Sequence, residues 1–401
     1  MDLLWAFLTA LALLGLVVTA ASLLQGLRLR GHVRRAMRAA FGAYLPRVAI
    51  VLPIRGLDPG LQENLEAILS QSYPGYRVLV VVDDSGDPGA DLARKAGASR
   101  PGVPLTIVVS EAASLPGKVN AVRSALAHLL PNDEVIAFAD SDIRPPTDWL
   151  RQLVQPLADT SVGVATGFRW YVPPRPQFWS LVRAEWNSVS ANVLFDPRRS
   201  FAWGGSCAAR RETLSEIRIS ERWRETLSDD LVLTQAIREA HLKIAYCPAC
   251  LVPTFEGATR AACLEWCLRQ MTMATLYLPI VRRYAAAAFA VFNGSTVLGI
   301  VSALLSIGLG PAYLIPSALF LAPLPATVAK SFLRRRALFS AGPAVAAAWN
   351  VPGWRTALAA LAVPWVMAFG LLRTRDPRVV RWRGRDYDVT DPKHVRLVDQ
   401  T

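Results

Sequence analysis

Charge is scarce in this 401-residue chain: 19% of residues are Asp, Glu, Lys or Arg, against 52% hydrophobic. Those fractions are low and high, respectively, for a water-soluble domain. Acids are outnumbered, 31 to 44 bases, for a net charge of +13. No G-x-G-x-x-G or Walker A sequence is present, so neither a dinucleotide site nor an ATP loop of the usual kind is indicated. No recognition motif accompanies the basic charge, which argues against nucleic acid as a partner. There is no internal repeat and no low-complexity linker. No small-residue cleavage site follows the first apolar stretch, so that stretch reads as a retained anchor. Five cysteines are an odd number and suit no complete disulfide framework. Cys247/Cys250 and Cys263/Cys267 have zinc-like spacing. The first pair sits in an apolar run, however, which makes buried free thiols the default reading.

The apolar residues are clustered, and this points to a membrane protein. Residues 3–24 carry no charge and are about long enough to span a bilayer, giving an anchor over residues 1–25. Arg28, Arg30, Arg34, Arg35 and Arg38 follow it and place the next segment in the cytoplasm. A catalytic region is expected over 46–280 and a second membrane region over 285–372. The latter divides into spans at 285–309 and 311–329, with a turn at Gly310-Pro311 and Lys330 and Arg334–Arg336 beyond. Residues 356–372 contain Pro364 and suit a tilted span, a re-entrant piece or an interfacial helix. A basic cytoplasmic tail over 373–401 completes a multi-pass arrangement.

Between the membrane segments, Val48–Ile54, Val78–Val82, Leu105–Val109 and Val135–Ala139 read as buried strands separated by helical patterns. Strand, helix, strand in about 35 residues is a βαβ unit of a parallel sheet. The second strand ends in Asp83-Asp84 and the fourth in Asp140-Ser141-Asp142. Carboxylates at i and i+2 beyond a strand point the same way, and that pattern suits a hard divalent cation, Mg or Mn, with phosphate. The bland alternative is an Asx turn with solvated acids. Lys118, at a helix start, suits phosphate contact or is simply a solvated loop lysine. Val162–Gly167 reads as a strand, and Gln177–Leu194 as an amphipathic helix belonging to the core or to a lipid interface. Trp203-Gly204-Gly205-Ser206 is a tight turn where backbone can approach a ligand, a candidate acceptor-binding element. Asp229 and Asp230 open a helix, where acids are often only caps.

In order, Pro53, Asp84, Lys118, Asp140-x-Asp142, Gly204-Gly205-Ser206, Asp229-Asp230 and Arg269-Gln270 form a set that resembles the family 2 glycosyltransferases, inverting enzymes of the GT-A fold. Pro53-Ile54-Arg55-Gly56-Leu57-Asp58-Pro59, Gly117-Lys118-Val119-Asn120 and the tail Trp382-Arg383-Gly384-Arg385-Asp386-Tyr387 are most similar to the ceramide glucosyltransferase branch and its hopanoid-linked relatives. The resemblance implies an α/β fold: a GT-A nucleotide-sugar-binding domain with a Rossmann-like mixed sheet, flanked by transmembrane helices. It implies a UDP-sugar donor held by Pro53, Arg55, Asp84, Lys118, Asp140, Arg269 and Gln270. Asp140 and Asp142 would take a divalent metal. Asp230 would be the base, with Asp229 as its orienter or the alternative base. The implied reaction moves a hexose to a lipid hydroxyl such as that of ceramide, diacylglycerol or a hopanoid. The chain departs from the branch at Arg269-Gln270-Met271-Thr272-Met273, which lacks the arginine and tryptophan of a (Q/R)-x-x-R-W motif. That departure makes a processive polysaccharide synthase less fitting and leaves a non-catalytic sugar-nucleotide-binding membrane protein as a rival.

Overall fold

The computed structural model describes residues 3–38, 42–111, 115, 117–197, 199–382 and 384–398. Arg383, a member of the tail motif above, lies outside the described residues. Strands β1 (Val48–Pro53), β2 (Tyr76–Val82), β3 (Leu105–Val109), β4 (Val135–Ala139), β5 (Val162–Tyr171), β6 (Ser206–Arg210) and β7 (Lys243–Thr254) form one sheet ordered β3-β2-β1-β4-β6-β5-β7. The first four run parallel. Strand β6 is antiparallel to both its neighbours, β4 and β5, and β5 pairs parallel with β7. This is the expected mixed α/β sheet.

The apolar runs are continuous because both faces of the sheet are covered. Val51, Leu79, Ile136 and Phe138 face one core. Ile50, Leu52, Val80 and Ala137 face the other. The chain leaves β1 toward β2 and β3, then returns to lay β4 on the opposite side of β1. The crevice beyond the carboxyl ends of β1 and β4 is therefore the switch point where open α/β sheets bind ligands. Strand β5 runs on to Tyr171, past the end expected at Gly167. The pairing of β5 with β7 shifts register between Thr166 and Phe168. A Cβ on Gly167 would strike the Cys250 carbonyl and the Ser206 hydroxyl, so the irregularity requires glycine.

Among the described residues, four helices are long and apolar enough to cross a membrane: Leu3–Ala36, Pro279–Leu309, Pro311–Phe339 and Gly353–Arg373. The first is 34 residues long, so residue 25 ends its apolar part and not the helix. Its last turns continue over the sheet, where Leu29 and Val33 pack with Phe168, Trp170 and Tyr246. The segment Gln177–Leu194 folds as helices Phe178–Val189 and Ala191–Leu194. Trp186 is buried there against Trp266, at 4.9 Å between ring centroids, as the core reading holds. The expected basic tail is instead folded. Strands β8 (Val379–Trp382), β9 (Arg385–Asp388) and β10 (Arg396–Leu397) form a small antiparallel sheet. Val380, Tyr387, Val389 and Val395 from this tail join the core beneath the helix Asp229–Glu239. All five cysteines are buried and free. Cys247 and Cys250 belong to the sheet core, while Cys263 and Cys267 lie one helical turn apart against Tyr171 and Trp186.

Candidate active site

Asp140 follows the last residue of β4, and the peptide after it is held from two sides. The Ser141 hydroxyl donates to Asp58, and its carbonyl accepts from Asn64 Nδ2 at 2.9 Å. The loop after β1 thereby fixes the direction of both flanking carboxylates. Arg169, from β5, bridges them. Its Nη2 lies 2.5 Å from Asp140 Oδ2, and its Nη1 lies 2.7 Å from Asp142 Oδ2. The guanidinium is stacked 4.6 Å over the Trp203 ring. Burial pushes the Asp142 carboxyl up to about 6; Arg169 opposes this and Asp140 adds to it. Arg169 itself is raised well above its ordinary value, its carboxylates outweighing its own burial.

Lys118 repeats the arrangement on the other side. It is the first residue of the helix Lys118–Leu126, after Gly117 at φ +136°. Its Nζ lies 2.8 Å from Asp140 Oδ1 and 3.1 Å from Asp229 Oδ2. Burial alone would lower its pKa, but Asp140, Asp229 and Asp230 together raise it. Asp229 is pushed up to about 6 by burial; Lys118 pulls against this, and Asp230 and Asp140 reinforce it. Asp230 is the more accessible of the two acids. Its Oδ1 accepts from the Ser228 hydroxyl at 2.7 Å and the Leu231 amide at 2.8 Å, and its Oδ2 from the Gly204 amide at 3.2 Å. A Cβ on Gly204 would collide with the Asp229 carboxylate, and one on Gly205 with Asp140 and Trp203. The two glycines thus allow a backbone turn to lie directly between the acids.

Asp140, Asp142, Lys118, Asp229, Asp230, Trp203, Gly204 and Gly205 are therefore brought together. Ser206 is not available to an acceptor: it is fully buried, and its hydroxyl accepts from Trp149 Nε1 at 2.8 Å. Asp84 is exposed and accepts from the Gly86 amide at 2.8 Å. Its neighbour Asp83 points inward and pairs at 3.0 Å with Arg385 from the folded tail. A Cβ on Gly117 would lie 3.0 Å from the Tyr387 hydroxyl, and the charge of Arg55 acts on that phenol. Pro53, at the end of β1, sets the start of the Arg55 loop. Arg269 stacks 5.3 Å over Trp382. No hydrogen bond or ion pair joins Gln270 to the acids among the described residues. Where the resembling branch carries arginine and tryptophan, Thr272 and Met273 are buried.

Sequence reasoning missed Arg169, Asp83, Arg385 and Tyr387. Arg169 had a signal: an arginine in an otherwise apolar strand must be paired when buried. Asp140, Asp142, Asp229 and Asp230 thus converge on Lys118 and Arg169 among the described residues, four carboxylates with these two cations between them. Asp142 Oδ1 is buried with no hydrogen-bond partner among the described residues. Both observations fit a divalent cation. Among the described residues no group of three or more His, Cys, Asp or Glu could hold a metal alone. Cations of the Mg²⁺ type are commonly held by one or two carboxylates together with a ligand's phosphates.

The family model described as Glycosyl transferase family 21 matches residues 7–395. The chain belongs to that family. This bears out the resemblance to the ceramide glucosyltransferase branch, and a ceramide glucosyltransferase is among the relatives. That relative, from Candida albicans, is 31% identical over 105 residues, 26% of this chain and 18% of its own length. An N-acetylglucosaminyltransferase of Bradyrhizobium elkanii is 32% identical over 130 residues, 31% of this chain and 68% of its own length. Glycosyltransferase AglE of Haloferax volcanii is 26% identical over 125 residues, with 39% of its length matched. The family 21 chain thus aligns with well under half of two of these proteins. Among solved structures, the mannosyltransferase PcManGT from Pyrobaculum calidifontis, in complex with GDP-Man and Mn²⁺, is similar at 22% identity and a TM-score of 0.48. That match covers 92% of this chain and 97% of PcManGT. Identity this low says nothing about substrate.

Proposed function

We propose that this family 21 glycosyltransferase moves one hexose from a UDP-sugar to a hydroxyl of a membrane lipid, with inversion at the sugar's anomeric carbon. The observation that carries the reading is the convergence of Asp140, Asp142, Asp229 and Asp230 with Lys118 and Arg169 at the sheet's switch point, where Asp142 Oδ1 is buried without a partner among the described residues. A divalent metal held by Asp140 and Asp142 would offset charge growing on the departing diphosphate. Lys118, kept protonated by its carboxylates, supplies a further fixed positive charge facing the same group. Asp229 is committed to Lys118. Asp230 is more open, is oriented by Ser228 and Gly204, and is the group to accept the proton of the attacking hydroxyl. The ceramide glucosyltransferase among the relatives and the apolar helices on both sides of the catalytic domain support a lipid acceptor. The arginines in the last turns of the first helix and just beyond it, Arg28 to Arg38, support a cytoplasmic position for the domain.

The test is mass spectrometry of lipids from cells making the parent protein, Asp140→Asn or Asp230→Asn. A single hexose per lipid is expected from the parent only. Asp230→Asn should lower the rate about 10²–10⁴-fold, the usual contribution of a positioned base, while still binding UDP in the presence of Mn²⁺. Full activity in the Asp230 variant would remove the base assignment, and long sugar polymers would replace the single-transfer reading with a synthase.

A further inference from the structure

A second polar site lies away from the acids, between the apolar helices. A cavity of about 150 Å³ is lined by residues of all four of them and by the helix Phe178–Val189. Its walls include Val18, Phe289, Val291 and Val363, and its floor carries Glu185, Lys330 and Arg334. Val18 and Val291 are 41% and 37% exposed on the outer surface of the bundle, so the cavity lies beside a lateral, bilayer-facing surface. Trp5 Nε1 donates to the Ala312 carbonyl at 2.9 Å, and Lys330 donates to the Ser22 hydroxyl at 2.7 Å. Seventeen residues of helix, roughly 25 Å at 1.5 Å per residue, separate the two contacts. The floor is thus at the catalytic end of the bundle, at the depth of lipid head groups.

The floor is unusually polar for such a place. Glu185 is 1% exposed. Its Oε2 accepts from the Ser331 hydroxyl at 2.7 Å and from Arg334 at 3.1 Å. Its Oε1 is buried with no hydrogen-bond partner among the described residues. A buried carboxylate oxygen left unpaired is costly, and a ligand that donates to it recovers that cost. Lys330, a few side chains away, offers protons in turn.

We propose that this cavity binds the head of a neutral, hydroxyl-bearing membrane lipid and is where the acceptor waits before transfer. The hydroxyls of such a head can donate to Glu185 Oε1 and accept from Lys330 Nζ, both of which line the cavity. A phosphate head offers acceptors only; it would leave Oε1 unpaired and be repelled by it. The chains would lie past Val18 and Val291 in the bilayer. The connection to the chemistry is short. Two residues after Glu185, Asn187 donates to the Arg169 carbonyl at 3.0 Å, and Arg169 grips Asp140 and Asp142. The acceptor role rests on the lipid-transfer reading above; the lipid site itself does not.

The experiment uses the full-length protein in phosphatidylcholine vesicles containing a diazirine-bearing ceramide analogue. Photolysis and peptide mapping locate the adducts, and initial rates give KM for lipid and for UDP-sugar separately. Glu185→Gln keeps an oxygen for Ser331 and Arg334. Ala288→Trp narrows the mouth from an exposed position and does not disturb the floor. Adducts are expected on the helices bearing Val18, Phe289 and Lys330. Both variants should label less and raise KM for lipid about tenfold, the effect of one hydrogen bond to a charged group, with KM for UDP-sugar unchanged. If the parent glycosylates lipid but neither variant alters labelling or lipid KM, the cavity proposal is overturned and the function stands. If the labelling is specific and lost in both variants but no lipid is turned over, the site stands and the transfer reading fails.

Discussion

Asp229 and Asp230 are neighbours on one helical turn, yet their surroundings separate them. Asp229 faces Lys118, Asp140, Asp230 and Cys207 in a buried pocket and is raised from 3.8 to about 6. In the folded state it therefore holds its proton up to a higher pH than in the unfolded chain. Between about pH 4 and 6 the native state binds the extra proton, so its contribution to stability is present below that range and lost as pH rises through 6. Catalysis needs the opposite form, since only ionised Asp229 pairs with Lys118. The rate should accordingly fall on acidification with a midpoint near pH 6. Asp229→Asn should lose at least tenfold in rate and yet melt no lower than the parent at pH 8, because Lys118 retains Asp140 at 2.8 Å. Rate profiles and melting curves at pH 5 and 8 check both halves. Strand ends and helix starts placed the D-x-D pair, Lys118 and the Asp229-Asp230 pair, but each alone had a bland reading, and only their order along the chain joined them into one site. Which acid of the Asp83-Asp84 pair points inward was not legible, because a strand's side chains alternate and a one-residue difference in where β2 ends exchanges the inward and outward acid.

The folded tail is the element the sequence least disclosed. Strands β8, β9 and β10 are four, four and two residues long, too short for alternation to register, and their arginines read as a basic terminus. What organises them is tertiary. Tyr277 donates to the Pro392 carbonyl at 3.1 Å, the Val395 amide donates to the Glu225 carbonyl at 2.9 Å, and Val380 and Tyr387 enter the catalytic core. The result sets Arg385 and Tyr387 against Asp83, Gly117 and Arg55, beside Lys118 and where the proposed donor would lie. Arg385→Ala should raise KM for the UDP-sugar about tenfold, as expected for losing one charge-assisted contact, and leave KM for the lipid unchanged. Initial rates with each substrate varied in turn decide it. An unchanged donor KM would reduce the tail to a structural strap.

At the scale of the whole molecule, the position of the tail constrains how the chain crosses the bilayer. The catalytic domain lies between the helices Leu3–Ala36 and Pro279–Leu309. Crossing out through the latter and back through Pro311–Phe339 returns the chain to the catalytic side. If Gly353–Arg373 crossed as well, residues 374–398 would emerge opposite the domain they pack against. Both ends of that helix are instead tied to the catalytic side. Arg355 donates to the Pro176 carbonyl at 2.5 Å, the Thr356 hydroxyl accepts from Arg335 at 3.0 Å, and the Leu371 carbonyl accepts from Arg282 at 2.9 Å. Its middle, at Pro364, leans on Asn293. Hydropathy reads this helix as a fourth span because it reports apolar area, and a helix lying at the interface against other helices buries as much of it as one that crosses. We therefore expect three crossings, with the catalytic domain and the tail on one side and the turn at Gly310 on the other. All native cysteines are buried, so single cysteines introduced at exposed positions can report. Gly102→Cys and Arg378→Cys should react with a membrane-impermeant maleimide from the same face of sealed vesicles, and Gly308→Cys only from the opposite face. Labelling of position 378 together with 308 would make Gly353–Arg373 a true span. It would also separate Arg385 from Asp83 and remove the tail from the donor site.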